Sequence, residues 1–213
     1  MFRISEAELG LTRTVSSTES RAILREFRAL KRREGELFDN LTIVGSDVTR
    51  WRFELRSTHF DENANGTRKL AKDLNRLRVC HGLDHILVEC SFIFGEWPTN
   101  APLIRIVKPR MSWYTGHVTS GGSFCTEMLV NTGGVGGWNP RNRFDVVIEA
   151  LKLNAVHCDE VIIQTPFNGR QRAGPLRIDL KREYTDDPLR EYPEYAAISA
   201  FHRAEAHHAQ QGW

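Results

Sequence analysis

The segment that decides the fold and the site reads GGSFCTEML over residues 121–129, and the tripeptide WNP follows at residues 138–140. Glycine lets a backbone turn sharply and approach other groups closely, so the glycine pair ahead of Cys125 can present the thiol to a large substrate. Cys125 is therefore a candidate nucleophile. The alternative is a small buried side chain, since free cysteine is among the most buried residue types.

Length and charge limit the classes of function. The chain has 213 residues, so we expect one domain over residues 1–213 with a sizeable core. The net charge of +2 gives no general attraction to nucleic acid or to an acidic membrane surface, and we expect neither as a partner. We see no secretory leader and no transmembrane span, which favours the cytoplasm, with the nucleus left open, and free thiols.

A short cysteine- and histidine-containing stretch raises the question of a metal. Its members fit none of the common zinc spacings, and part of the stretch is a glycine-containing link ahead of a strand. We therefore expect no metal and no cofactor, and we interpret these residues as ordinary core and surface positions. They are Cys80, His81, His85 and Cys90.

Hydrophobic periodicity outlines the first half of the chain. Residues 17–34 predict an amphipathic helix, with Ser16 and Glu19 at capping-box spacing and apolar residues on one face. A polar insertion over residues 57–84 contains a short helix, marked by leucines at positions 70, 74 and 77. Four segments have strand patterns: residues 37–44, 48–56, 86–94 and 103–107.

The second half mixes irregular and helical segments. Residues 131–137 form a glycine-rich loop, residues 143–156 a helix and residues 161–164 a short strand. Pro193 at a first helical position opens a last helix over residues 194–210. In that helix we expect three side chains to face inward, and we assign three histidines to a polar face and a frayed end. The inward residues are Tyr195, Ile198 and Phe201, and the histidines are His202, His207 and His208.

Three local matches in order carry a resemblance to the ubiquitin-conjugating enzymes. They read WPTNAPLIRI at residues 97–106, GSFCTEML at residues 122–129 and WNP at residues 138–140. The first resembles the family's proline-rich turn into its fourth strand, and the second resembles its cysteine segment. The resemblance implies an α+β fold, with an N-terminal helix, a four-stranded antiparallel meander, a central helix and a late C-terminal helix. The matched core covers residues 17–156.

The Q-type subgroup of that family is the most similar to this chain. Its members have a polar insertion before the third strand, here residues 57–84, and a glycine-rich approach to the cysteine, here Gly121 and Gly122. Their tails end near a Gly-Trp pair, as residues 212–213 do. The resemblance implies a divergent C-terminal extension over residues 157–213.

The resemblance also implies an activity and partners. Ubiquitin or a related modifier would be accepted as a thioester on Cys125 from an activating enzyme and passed to an amine, with a ubiquitin ligase as a further partner. The first helix would contact the activating enzyme, and the turn at residues 97–99 the ligase. Thr99 departs from the phenylalanine that many members place in that contact. The residues concerned are Arg21, Arg25, Arg28, Trp97, Pro98 and Thr99.

Two further site residues follow from the resemblance. The family's His-Pro-Asn tripeptide is replaced by residues 115–117, so His117 stands where an asparagine is usual, eight residues before Cys125. His117 is either a donor to the oxyanion of aminolysis or a scaffold residue. Asp159 either positions the acceptor amine or is a solvated residue after a helix.

Two other functions remain open at this point. One is a catalytically weak or inactive binding module of the same fold that holds partners of the ubiquitin pathway. The other is a thiol hydrolase that pairs Cys125 with His117 or His157, although no Cys-His signature of a known protease type is present. The retained cysteine and its glycines favour the conjugating enzyme.

Overall fold

A computed structural model describes the chain in seven ranges: 14–61, 65–113, 115, 117–130, 137–157, 161–165 and 169–211. The helices are α1 (Ser17–Lys31), α2 (Asn65–His81), α3 (Phe144–His157) and α4 (Glu194–Gln211). The strands are β1 (Asp39–Val44), β2 (Asp47–Leu55), β3 (Ile86–Ser91), β4 (Leu103–Lys108), β5 (Val161–Thr165) and β6 (Gly169–Ala173). Single 3₁₀ turns lie at Ser57–His59 and Glu127–Leu129.

Strands β1 to β4 form one antiparallel sheet in chain order, which confirms the predicted α+β meander between an N-terminal and a central helix. The alternation in β2 decides which face is buried. Trp51, Phe53 and Leu55 point into the core, and the intervening residues are only half-buried. In the register, Trp51 lies opposite Cys90 and Phe53 opposite Val88, so one continuous apolar face meets the helices.

Helix α1 is shorter than the sequence pattern predicts. Its N-terminus is capped as expected, because the Ser16 side chain accepts a hydrogen bond from the Glu19 N–H at 3.1 Å. It ends at Lys31 rather than at residue 34, because a tight turn follows in which Gly35 has φ +86° and donates to the Phe38 carbonyl at 2.7 Å. The Glu19 carboxylate accepts from the Trp97 N–H at 2.8 Å, which ties α1 to the turn before β4.

That turn is part of the core. Trp97 is buried, with its ring 5.0 Å from that of Phe92 and 5.5 Å from that of Trp138. The prediction that Trp97 belongs to a partner surface is therefore wrong, because its indole fills space between the sheet and α3. Pro98 and Thr99 are exposed.

The insertion contains a longer helix than predicted. Helix α2 runs from Asn65 to His81, and its leucines at positions 70, 74 and 77 are buried. It packs against α3 very closely. A side chain at Gly66 would place its Cβ only 1.9 Å from the Val156 carbonyl oxygen, so glycine is required where the two helices meet.

The C-terminal region covers a second surface of the sheet. The predicted strand at 161–164 is one arm of a β5–β6 hairpin. In α4, Ile198 and Phe201 are buried as predicted, and Phe201 stacks on Phe94 at 4.7 Å. Tyr195 is exposed, contrary to prediction, because the buried stripe passes through Ala197 and Ile198 instead. None of the helices in the described ranges is long and apolar enough to cross a membrane.

Candidate active site

Cys125 lies at the end of a small hairpin that is hydrogen-bonded to β4. The hairpin turns at Thr119 and Gly122, and the N–H of Gly122 donates to the Thr119 carbonyl at 2.9 Å. Its second arm runs beside β4, where the Ile106 N–H donates to the Gly122 carbonyl at 2.8 Å and the Phe124 N–H donates to the Ile104 carbonyl at 3.0 Å. The main chain that leads to Cys125 is therefore hydrogen-bonded to the edge strand of the sheet.

The glycine pair is required by packing against the C-terminal segment. A Cβ on Gly121 would lie 2.2 Å from the carbonyl oxygen of Ala196, in the first turn of α4. Gly122 has φ +89°, and a Cβ there would lie 2.6 Å from the ring of Tyr192. The glycines therefore do allow a close approach, as predicted, and the segment that packs against them is the start of α4 with the residues just before it.

The Cys125 thiol is half-buried, and burial raises its pKa because a thiolate is poorly solvated there. Its sulfur lies 3.7 Å from Nε2 of His208, which is within hydrogen-bonding range for a sulfur atom. The thiol is thus neither fully exposed nor sealed in the core. It faces an imidazole contributed by α4.

His208 was predicted to lie on a frayed polar end, and that prediction is wrong. Its side chain is 9% exposed and belongs to the last turn of α4, whereas the neighbouring His207 is exposed. A signal for this burial was present in the sequence. His208 follows the inward-facing Phe201 by seven residues, which is two turns of a helix and returns to the same face.

His117 is paired with the backbone of Cys125. The Cys125 N–H donates to the His117 carbonyl at 2.8 Å, and Nδ1 of His117 lies 3.1 Å from the Cys125 carbonyl oxygen. A carbonyl only accepts, so Nδ1 carries the proton and Nε2 of the neutral ring carries none. His117 is exposed, with φ +58°, in the left-handed region that asparagine tolerates better than most residues. The ring therefore braces the cysteine segment.

The residues after Cys125 are anchored to α3 and to the Trp97 turn. Buried Thr126 accepts a hydrogen bond from the Asn154 amide at 3.4 Å. Trp138 is buried, and its ring N–H donates to the Pro98 carbonyl at 2.8 Å. Its main-chain N–H donates to the Val130 carbonyl at 3.0 Å. The glycine-rich residues 131–136 between these anchors lie outside the described residues.

The other predicted site residues fall into three groups. Arg21, Arg25 and Arg28 are exposed on α1, so they are available to a partner. Asp159 lies outside the described residues, as does the side chain of His157. Of the cysteine and histidine stretch considered for zinc, Cys80 is exposed and Cys90 is fully buried, and the described ranges contain no group of three metal-binding side chains.

Comparisons with known proteins give similarity in structure only. No family model matches the sequence, and no curated protein matches it significantly. The chain is similar to a ubiquitin-conjugating enzyme domain of Toxoplasma gondii, with 16% identity and a TM-score of 0.41 over 62% of this chain and 71% of that one. It is also similar to a ubiquitin-conjugating enzyme of Plasmodium falciparum, with 13% identity and a TM-score of 0.46 over 65% of this chain and 99% of that one. The case for a function therefore rests on the residues of this chain.

Proposed function

We propose that this protein is a ubiquitin-conjugating enzyme that accepts ubiquitin or a related modifier as a thioester on Cys125 and transfers it to an amine. The observation that carries this proposal is the placement of Cys125 at the end of a hairpin bonded to β4, with its side chain half-buried rather than enclosed in the core. The ordered matches at residues 97–106, 122–129 and 138–140 support the same function, and so does the helix, meander and helix order that surrounds them.

Charging requires little of the protein beyond a sulfur atom that the thioester of the modifier can reach. The modifier arrives already activated as a thioester, so a thiolate on Cys125 can exchange with it without a full catalytic triad. Transfer to an amine then creates an oxyanion, which a nearby N–H stabilises. His117 supplies such a donor from Nε2 only as an imidazolium, because its Nδ1–H is used by the Cys125 carbonyl. Asp159 remains the proposed residue for positioning the amine.

The proposed partners use two other surfaces. The exposed arginines of α1 would meet acidic groups of the activating enzyme, as the resemblance implies. At the proline-rich turn, Pro98 and Thr99 would be the only parts of the predicted ligase contact left at the surface, since Trp97 is buried. A ligase would therefore meet a small surface without an aromatic side chain at this turn. The Q-type subgroup and a cytoplasmic or nuclear location remain proposals.

A charging assay tests the function. The protein is incubated with activating enzyme, ATP and ubiquitin and run on a gel without reductant. We expect an adduct that a thiol reagent removes, and its loss in Cys125→Ser. Cys80→Ser is the matched control, because Cys80 is an exposed thiol on α2, outside the hairpin that carries Cys125. Absence of a thiol-sensitive adduct, or its persistence in Cys125→Ser, would sink the proposal.

A binding module without activity is the second candidate. The observation that favours it is the half-burial of Cys125 beside α4, which raises the pKa of the thiol. In this case no adduct forms, but ubiquitin binds reversibly and shifts the amide signals of surface residues in a nuclear magnetic resonance titration. The charging assay and this titration separate the two candidates.

A further inference from the structure

We propose that His208 is the general base for Cys125, a catalytic residue supplied by α4 from 83 positions further along the chain. This inference rests on the proposed conjugating activity and adds a residue to its site. The family resemblance does not assign this role to any residue of the C-terminal helix. The assignment comes from the contact between the Cys125 sulfur and Nε2 of His208, at 3.7 Å.

The imidazole is held in place by the packing of its helix. At the N-terminal end of α4, the Ala196 carbonyl lies against Gly121, so the glycine of the cysteine hairpin sets the distance between the two segments. Midway along, the ring of Phe201 stacks on that of Phe94. Near the C-terminal end, His208 is 9% exposed. These two contacts and the burial of His208 therefore place the base against the thiol.

A general base beside Cys125 would help the buried thiol to lose its proton. Burial disfavours the thiolate of Cys125. Proton transfer to His208 would create an imidazolium beside the thiolate, and an adjacent positive charge stabilises a thiolate. The last turn of a helix also favours positive charge, because its free carbonyl groups point there. His208 occupies that turn of α4.

The other ionisable groups near Cys125 either bond to other atoms or are exposed. On the cysteine segment, His117 bonds the Cys125 carbonyl, and Glu127 is exposed. From α3, the neutral amide of Asn154 bonds Thr126. On α4, His207 is exposed. Of the described residues, His208 is the titratable group recorded in contact with the sulfur.

The charging step needs no base other than His208. Nε2 of neutral His208 takes the proton of the Cys125 thiol, and the sulfur attacks the carbonyl carbon of the thioester on the activating enzyme. A carbon–sulfur bond forms to Cys125, and the one to the activating enzyme's cysteine breaks. The leaving thiolate takes up the proton from the His208 imidazolium. No oxidant, reductant or cofactor enters the step.

Alkylation of Cys125 by iodoacetamide tests the pair without ubiquitin. The rate constant is measured from pH 5 to 10, with mass spectrometry of the peptide that contains Cys125. In the unaltered protein we expect the rate to rise with pH through one inflection, which lies lower than burial alone would set it because the imidazole accepts the thiol proton. In His208→Gln we expect this inflection to move to higher pH, with a rate at pH 7 lower by about tenfold or more. His207→Gln is the matched control and should keep the original profile.

Each other result contradicts the proposal. A profile that is the same in His208→Gln removes the base. Faster alkylation of His208→Gln at pH 7 would show that α4 merely shields the sulfur. Circular dichroism of both glutamine variants checks that they are folded.

The charging assay separates this inference from the proposed function. We expect His208→Gln to form the thioester about 100-fold more slowly, the scale of general base catalysis, with His207→Gln unaffected. Equal charging of both variants leaves the conjugating function intact and overturns the role of His208. If the unaltered protein does not charge, the function fails, and the alkylation profile still decides whether the pair exists.

Discussion

At the scale of single residues, His117 stands where the ubiquitin-conjugating enzymes that the sequence resembles usually have an asparagine, and this difference has a chemical consequence for the proposed transfer. The carbonyl of Cys125 takes the Nδ1–H of the ring, so only the protonated form of His117 has a second N–H to offer an oxyanion. An asparagine amide offers its N–H at every pH. The substitution would therefore make transfer to an amine depend on pH in a way that an asparagine would not.

Variants of His117 test that dependence. We expect His117→Ala to charge normally but to discharge onto free lysine about 100-fold more slowly, the usual cost of losing one oxyanion donor. We expect His117→Asn to discharge well, because asparagine also tolerates the positive φ at this position. The measurement is the single-turnover discharge rate of each protein over a range of pH around neutrality.

The informative quantity is the ratio of the unaltered rate to that of His117→Asn. Because the lysine acceptor titrates identically in both proteins, its effect cancels in the ratio. A ratio that falls as the pH rises supports an imidazolium donor. Equal discharge by all three proteins would leave His117 with its bracing role alone.

At the scale of elements, the sequence predicts the existence and the start of α4 but not the role of its last turn. Its existence, its start after Pro193 and the burial of Ile198 and Phe201 follow from local periodicity and are confirmed. The role of its last turn does not follow from local pattern, because the sulfur that His208 contacts belongs to Cys125, far away in the sequence. Local periodicity identifies a helix face, but the group that covers that face depends on the tertiary fold.

Replacing Gly121 by alanine should disturb α4 as a unit. Its Cβ would lie 2.2 Å from the Ala196 carbonyl oxygen, a main-chain atom that cannot move without shifting the helix. We expect a loss of about 1–3 kcal/mol of unfolding free energy, typical of overpacking, measured by urea denaturation. We also expect slower alkylation of Cys125 at pH 7, since His208 moves with the helix.

Gly174→Ala is the control for that experiment. An added Cβ there meets the Arg177 side chain at an ordinary 3.7 Å, so stability should change little. If Gly121→Ala is as stable as this control and its thiol reacts at the original rate, then α4 is not fixed through the glycine contact, and the diglycine serves only the turn.

At the scale of the whole molecule, the meander could be predicted from sequence, whereas the burial of Trp97 and of Glu89 could not. Alternation in β2 predicts a half-buried strand, and the register then follows from placing apolar residues on one face. Glu89 looks like a surface position on a strand. It is instead fully buried, because the C-terminal segment covers that part of the sheet.

Arginines from neighbouring strands surround the Glu89 carboxylate. Arg105 donates at 2.8 Å and Arg50 at 2.9 Å to one oxygen, and Arg52 donates at 2.7 Å to the other. Arg50 also bonds Glu194 at the start of α4, at 3.0 Å. The cluster therefore joins three strands to the helix that carries His208.

Glu89→Gln should accordingly destabilise the whole fold. Removing one partner of a buried ion pair leaves buried positive charge without compensation, and we expect a loss of about 3–5 kcal/mol in urea denaturation at pH 7. Glu36→Gln is the control, because Glu36 forms its ion pair with Arg33 at the surface and should contribute little. A similarly small effect of both variants would show that the cluster does not hold the C-terminal segment to the sheet.

The difference in stability between the unaltered protein and Glu89→Gln should depend on pH, and the direction of the Glu89 pKa shift fixes its sign. Burial works against ionisation of Glu89, but Arg105 and the other guanidinium groups outweigh it and hold the pKa below its usual range. A lowered folded pKa contributes stability that is complete above the unfolded value, about 4.3, and is lost as the pH falls through the folded value. The stability gap between the unaltered protein and Glu89→Gln should therefore shrink as the pH falls below about 4.3, while other carboxyl groups cancel in the difference. A gap that stays constant down to the acid transition would mean that the carboxylate gains nothing from its arginines.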